Sequence, residues 1–412
     1  MAVSIDGQRL WDSLMAMAEI GPTENGGSGR LALTPEDAAG RRLLLDWCES
    51  LGCTWRVDRV GNIFIRRAGK RDDLDPVAMG SHLDTQPKGG RFDGVLGVLA
   101  GLEVFRTLAD QCIVTERPLE LVVWTNEEGS RFAPAMVASG TYAGAFSVES
   151  TLAREDRDGV TFGEALADCG YAGDSPIGEP RLDSFFELHI EQGPVLEEEG
   201  EPIGVVTGVQ GMRWFDVTLS GQSAHAGPTP MRYRRDALAA AARLIDRLQA
   251  HALADDSGDT KVTCGCLDIV SASRNVVPGD VKLTIDLRHV VESELNALQT
   301  YFEGLLADVG ETCGVTVAQE RIWASPVVAF APECVAAVER GALEHGLKYR
   351  RMMSGAGHDA VYVSRVAPTA MIFIPCRDGI SHNEAEYATP EHCAAGTQVL
   401  CDAILERASR VY

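Results

Sequence analysis

Residues 78–94 read Ala78-Met79-Gly80-Ser81-His82-Leu83-Asp84-Thr85-Gln86-Pro87-Lys88-Gly89-Gly90-Arg91-Phe92-Asp93-Gly94. A short apolar run at 77–79 ends at Gly80 and Ser81 and at once presents His82 and Asp84. These lie two residues apart and share one side of an extended backbone. Asp93 follows eleven residues after His82, in a turn-rich segment with Gly89, Gly90 and Gly94 where backbone can fold tightly around an ion. A His-x-Asp pair also suits an ordinary strand end followed by a polar loop. The remainder of the chain decides between the two.

The chain has 412 residues, 45% hydrophobic and 24% charged, enough to bury a large core and to divide into more than one domain. A formal net charge of -23 disfavours nucleic acid or an anionic membrane surface as partner, because both are repelled at long range. Eleven cysteines, an odd number without a repeating framework, read as reduced thiols of a cytosolic protein. Cys264-Gly265-Cys266 is too tightly spaced for the usual zinc finger and reads as small residues in a strand. The N-terminus lacks a basic segment followed by an apolar one, and no window is long and apolar enough to span a bilayer. The predicted compartment is the cytoplasm.

Helices are predicted over 9–20, from the Thr34-Pro35-Glu36-Asp37 start to residue 50, and over 95–108. A hairpin is predicted at 55–57 and 63–65. Buried strands at 119–125 and 185–190 run into Asn126-Glu127-Glu128-Gly129 and carry His189, and a further strand spans 370–374. Strands alternating with helices, with polar residues at their C-terminal ends, indicate an α/β sheet whose site lies at those ends. After Gly211 the pattern becomes β-α-β-β-α-β, the ferredoxin-like α+β order. The predicted domains are therefore 1–210 with 324–412, and an inserted 211–323.

The polar residues after buried strands are His82, Asp84, Asp93, Glu127, Glu128, His189 and His382. Three histidines and several carboxylates are what a borderline divalent metal such as zinc takes. Each also has a plainer reading: His189 as a satisfied core histidine, Glu127-Glu128 as a solvated turn. On the strand at 281–287, Lys282, Asp286 and Arg288 share the face opposite the apolar residues, so Arg288 is available either to a salt bridge with Asp286 or to a substrate carboxylate.

The segments Gly-Ser-His-Leu-Asp-Thr (80–85), Thr-Asn-Glu-Glu-Gly-Ser-Arg-Phe (125–132), Glu-Leu-His-Ile-Glu-Gln-Gly-Pro (187–194), Ser-Ala-His-Ala-Gly-Pro-Thr-Pro-Met (223–231), Gly-Ala-Gly-His-Asp-Ala (355–360) and Ser-His-Asn-Glu (381–384) resemble the zinc-dependent hydantoinase/carbamoylase amidases. That family belongs to the clan of dinuclear aminoacylases and carboxypeptidases, and the resemblance covers essentially the whole chain. It implies a dinuclear-metallopeptidase-like α/β catalytic domain with an inserted lid and dimerisation domain. It implies two divalent ions per subunit, zinc first and manganese, cobalt or nickel as alternatives, bridged by Asp93, one held also by His82 and His189, the other by Glu128 and His382. Asp84 is expected to orient the His82 ring, Glu127 to act as general base, and His225 to reach a partner subunit's centre and stabilise the oxyanion. Gln192, His225, Asn275, Arg288 and Gly357 are implied substrate contacts, with Arg288 as carboxylate clamp, and His358 is a candidate pocket residue. A non-proline cis bond is implied at Asp93–Gly94.

The expected activity is hydrolysis of the carbamoyl C–N bond of an N-carbamoyl-L-amino acid or N-carbamoyl-β-alanine by a cytoplasmic homodimer. Allantoate hydrolysis is the nearest alternative, and an aminoacylase, a dipeptidase or a non-catalytic binding dimer the more distant ones.

Overall fold

The computed structural model describes residues 3–410. The chain forms two compact units, one running to Gly208 and resuming at Ala329, the other Val209–Val328.

The first unit is built on a nine-stranded sheet. Its centre is four parallel strands in the order Leu119–Trp124, Val77–His82, Ser184–Ile190 and Thr369–Ile374. Every residue of these four strands is buried, as expected of parallel strands covered on both faces. The hairpin Thr54–Val57 and Ile63–Arg67 extends one side by antiparallel pairing to Leu119–Trp124. Ile203–Val209 extends the other side, with Val328–Ala329 and Tyr349–Ser354 beside it.

Alternation along Ser184–Ile190 shows how the two faces are covered. Leu188 meets Gly396 of the helix Pro390–Ala408, whereas Glu187 turns the other way and accepts the Ala360 N–H of the helix Asp359–Val363. The helix Val95–Asp110 packs with Gly7–Ala18 and Pro390–Ala408, and is buried along almost its whole length. Thr34 caps Pro35–Glu49 through the Asp37 N–H, with proline at the first position.

Two buried arginines tie this frame to the strand ends. Arg41, paired with Asp37 at 3.0 Å, donates to the Gly61 carbonyl and to Thr125 Oγ1. Arg30 donates to the carbonyls of Leu83 and Ile20. Arg30 thus holds the backbone that follows His82, and Arg41 holds the Thr125 hydroxyl that follows Trp124.

The inserted unit is an antiparallel sheet in the order Leu267–Val270, Asp280–His289, Gly211–Ser220, Thr316–Ser325. Two helices, Ala237–Leu253 and Glu292–Cys313, cover one face. Phe215, Val217, Leu219, Val281, Leu283, Ile285 and Leu287 form the sheet side of that core. The segment around Cys264-Gly265-Cys266, read from the sequence as one strand, is two strands, Lys261–Thr263 and Leu267–Val270, both on Asp280–His289. Thr263 lies opposite Asp286 and Leu267 opposite Leu283, so one extra residue bulges out, and the Cys266 N–H goes to Thr284 Oγ1.

All eleven cysteines are unpaired. No helix among the described residues is long and apolar enough to cross a membrane.

Gly80 sits at φ 153° in the strand leading to His82, and a Cβ there would lie 2.0 Å from the Val122 carbonyl oxygen. Gly80→Ala is expected to part the strands that carry His82 and Glu127 and to cost about 1–3 kcal/mol, read from the urea midpoint. A midpoint equal to wild type would show that the strands separate without cost.

Candidate metal centre

His82, Asp93, Glu127, Glu128, His189 and His382 converge at the C-terminal ends of the parallel strands. Four parallel strands deliver them: His82 ends its strand and Asp93 lies in the loop after it, Glu127 and Glu128 share the loop after Leu119–Trp124, His189 lies one residue before the end of its own strand, and His382 sits in the loop after Thr369–Ile374. Asp93 is central. Its Oδ1 lies 3.1 Å from His189 Nε2 and 3.6 Å from His82 Nε2. Its Oδ2 lies 3.5 Å from His382 Nε2, which is 3.3 Å from Glu128 Oε2. Two triads result, His82–Asp93–His189 and Asp93–Glu128–His382, with the donor atoms of each within 4.8 Å of one another. One carboxylate serves both, one oxygen to each side.

The donor chemistry fits divalent cations. His82 Nδ1 donates to the Asp84 carbonyl oxygen at 2.8 Å, which leaves Nε2 as a lone-pair donor. That nitrogen is buried and has no hydrogen-bond partner, yet it faces Asp93 Oδ1 and, at 3.5 Å, Glu127 Oε2. Lone pairs facing one another in a buried site are relieved by a cation between them. His189 Nδ1 is likewise tied to the Ile190 carbonyl at 2.9 Å, and its Nε2 accepts the Gly94 N–H at 3.1 Å. Burial holds the Glu127 and Glu128 carboxyls well above the ordinary carboxylate range. Neighbouring acids add to this, Asp359 and Glu128 for the first and Asp93 for the second. A bound cation would remove that penalty.

Two expectations are corrected. The Asp84 carboxylate does not orient the His82 ring: Oδ1 is 4.0 Å from Nδ1, and the backbone carbonyl of Asp84 makes that bond. The carboxylate instead accepts the N–H groups of Glu127 and Glu128, at 3.3 and 3.2 Å, so it holds the loop that presents both acids. The Asp93–Gly94 peptide is not cis; the cis bonds among the described residues are Ala133–Pro134 and Glu179–Pro180. Gly94, at φ 68°, makes the turn into Val95–Asp110, and a Cβ there would lie 2.3 Å from the His82 ring.

Gln192 donates from Nε2 to Asp93 Oδ2 at 2.7 Å, while its Oε1 is buried without a partner. His358 is buried, bonded to Ser354 Oγ at 3.0 Å, with its ring 4.5 Å from that of His189. Burial, reinforced by His189, holds His358 well below the ordinary imidazole range and so neutral. A Cβ on Gly357 would lie 2.8 Å from Met136 Cε, and Met136 donates its N–H to the Glu127 carbonyl.

The remaining sequence candidates lie in the inserted unit. The exposed His225 pairs with Val276 across a two-residue ladder, and the Ala226 N–H donates to the Asn275 carbonyl, so His225 and Asn275 are neighbours. Arg288 is bonded to Asp286, with Nη2 2.7 Å from Oδ2.

Other residues of the site come from the structure. Glu386 Oε1 accepts the N–H groups of Phe92 and Asp93, clamping the turn that carries the shared carboxylate. Ser381 donates to Asp93 Oδ2, and Gln86 donates to Glu128 Oε2 at 2.6 Å. Gln86 follows Asp84 by two residues and Ser381 precedes His382, which are signals of proximity only. Glu386 is 293 positions from Asp93, and only the fold joins them.

Asp84→Asn replaces one acceptor by an N–H donor facing the Glu127–Glu128 backbone. It is expected to lower metal affinity by about 10–100-fold, measured by competition with a chelating dye. Unchanged affinity would show that the loop holds its place without the carboxylate.

Residues 78–406 match the model of peptidase family M20/M25/M40. The chain is 45% identical to an N-carbamoyl-L-amino-acid amidohydrolase of Rhizobium meliloti, covering 99% of this chain and 98% of that one. It is 33% identical to an allantoate amidohydrolase of Bacillus subtilis, over 97% of each. The crystal structure of a hydantoinase/carbamoylase family amidase from Burkholderia multivorans superposes with a TM-score of 0.96 at 52% identity, over 100% of both chains. With two triads able to hold a metal ion and sharing Asp93 at the head of this sheet, the chain belongs to peptidase family M20/M25/M40, among its hydantoinase/carbamoylase amidases.

Proposed function

We propose that this protein hydrolyses the terminal carbamoyl C–N bond of N-carbamoyl-L-amino acids, giving ammonia, carbon dioxide and the free amino acid. The observation that carries the reading is the pair of triads on Asp93 with Glu127 beside them and in neither. Near full-length similarity to an N-carbamoyl-L-amino-acid amidohydrolase supports the substrate class.

Two divalent ions, zinc in our assignment with manganese, cobalt or nickel as substitutes, would polarise the ureido carbonyl and bring the pKa of the attacking water to about 7. The protein's part is positioning and proton transfer. Glu127 takes the proton of the water that adds to the carbamoyl carbon and delivers it to the departing nitrogen; the carbamate left behind loses carbon dioxide. The buried, unpartnered Oε1 of Gln192 suits a ureido N–H donor. Arg288, its fork held by Asp286, is assigned to the substrate carboxylate. Asn275, Gly357 and His358 are assigned to the ureido pocket. His225 is assigned to the oxyanion at a partner subunit's centre, in a cytoplasmic homodimer formed through the inserted unit, which also acts as a lid. N-Carbamoyl-β-alanine presents the same groups. Allantoate is the second reading, favoured by the similarity to an allantoate amidohydrolase.

Ammonia release on matched N-carbamoyl-L-amino acids, N-carbamoyl-β-alanine, allantoate and N-acetyl amino acids tests the assignment. Preference for allantoate, or for the acetyl series, would overturn it. Chelation is expected to abolish turnover, and zinc or manganese to restore it, with two ions per chain by elemental analysis. Glu127→Gln is expected to keep both ions while lowering kcat by about 10²–10⁴-fold; retained turnover would remove Glu127 from the role of base. Arg288→Ala is expected to raise KM for carboxylate substrates by the equivalent of about 1.5–3 kcal/mol. An unchanged KM would place the carboxylate elsewhere.

A further inference from the structure

The open face of the inserted sheet carries a feature that the hydrolytic chemistry does not use. Trp214 and Trp323 are cross-strand partners on that face, with ring centroids 5.0 Å apart and planes at 47°. Trp214 is 44% exposed. The domain's core lies on the opposite face and is complete without either ring. Met231 and Tyr233 are also exposed, on the short helix Met231–Tyr233, where the Arg232 guanidinium is already stacked over the Tyr233 ring, 4.8 Å from its centroid.

The position of the pair relative to Arg288 gives it meaning. In the antiparallel register Arg288 lies opposite Met212 on one side and Lys261 on the other, and Asp286 lies opposite Trp214. Around the guanidinium the face is therefore charged toward Lys261 and Asp286 and apolar toward Met212, Trp214 and Trp323. Diagonal cross-strand neighbours such as Arg288 and Trp214 are about 7–8 Å apart, within reach of long and aromatic side chains. An amino acid's carboxylate and side chain diverge from one carbon. With the carboxylate on Arg288, the side chain has one apolar quadrant to enter. A concavity of about 450 Å³ on the same face offers no rival seat: Asp216, Asp268 and Glu320 outnumber Lys282 there, and an anionic substrate is repelled.

We propose that Trp214 and Trp323 form the seat for an apolar or aromatic side chain of the N-carbamoyl amino acid, and so set which amino acids are accepted. This rests on the carbamoylase reading and on the carboxylate role of Arg288. A wall of large rings beside a few polar anchors is the usual make-up of a small-molecule pocket.

The test compares kcat/KM for N-carbamoyl-L-phenylalanine, N-carbamoyl-L-leucine and N-carbamoylglycine in the zinc- or manganese-loaded full-length protein. Wild type is expected to favour the first two. In Trp214→Ala and Trp323→Ala the phenylalanine-to-glycine ratio is expected to fall by about tenfold or more, and in Trp214→Phe and Trp323→Phe to recover most of that loss. Where an alanine variant does not fold by circular dichroism, Trp214→Leu or Trp323→Leu carries the same comparison. An unchanged ratio, equal losses on both substrates, or a wild-type preference for glycine would overturn the proposal while leaving the carbamoylase reading intact. Wild-type inactivity on all three would bring down the carbamoylase reading, and the proposal with it.

Discussion

Asp93 is the constraint on which the rest depends. A buried carboxylate with one oxygen turned to His189 and His82 and the other to His382 has no stable place in an apolar interior unless positive charge lies on both sides. The sheet, the turn at Gly94 and the loop at 381–386 all serve to bring those partners to it.

Backbone N–H groups do much of the positioning. Asp84 gathers those of Glu127 and Glu128, and Glu386 gathers those of Phe92 and Asp93. Two carboxylates that need bind nothing themselves thus preset the loops on which the donor atoms ride. Behind the histidines, Glu187 links Ser81 Oγ to the Ala360 N–H, joining the His82 strand to the helix that follows His358. Such outer contacts fix ring tautomer and loop geometry before any ion or substrate arrives. The inserted unit divides its labour by face: one side is a closed apolar core, the other a row of charged and aromatic side chains left toward solvent.

Much of this was legible in the chain. The parallel strands read as unbroken apolar runs because both faces are buried, and the polar residues at their ends stood out against them. The β-α-β-β-α-β order was legible for the same reason in the other period, apolar at alternate residues on Gly211–Ser220 and Asp280–His289. The short helices Val137–Tyr142, Val148–Leu152 and Phe162–Asp168 were not, since five to seven residues show too little of a 3.6 period to be told from loop. The bulge at Cys264–Cys266 was missed because it depends on the Thr284 hydroxyl across the ladder.

By itself, the sequence determined the fold class and the identity of the six converging side chains, because burial and residue chemistry are written position by position. Which oxygen of Asp93 faces which triad, that Asp84 turns its carbonyl rather than its carboxylate to His82, and that Glu386 clamps a turn 293 positions away, only the tertiary structure decided. Those choices depend on where strands and loops distant in the chain meet, and no local pattern encodes a distance across the sheet.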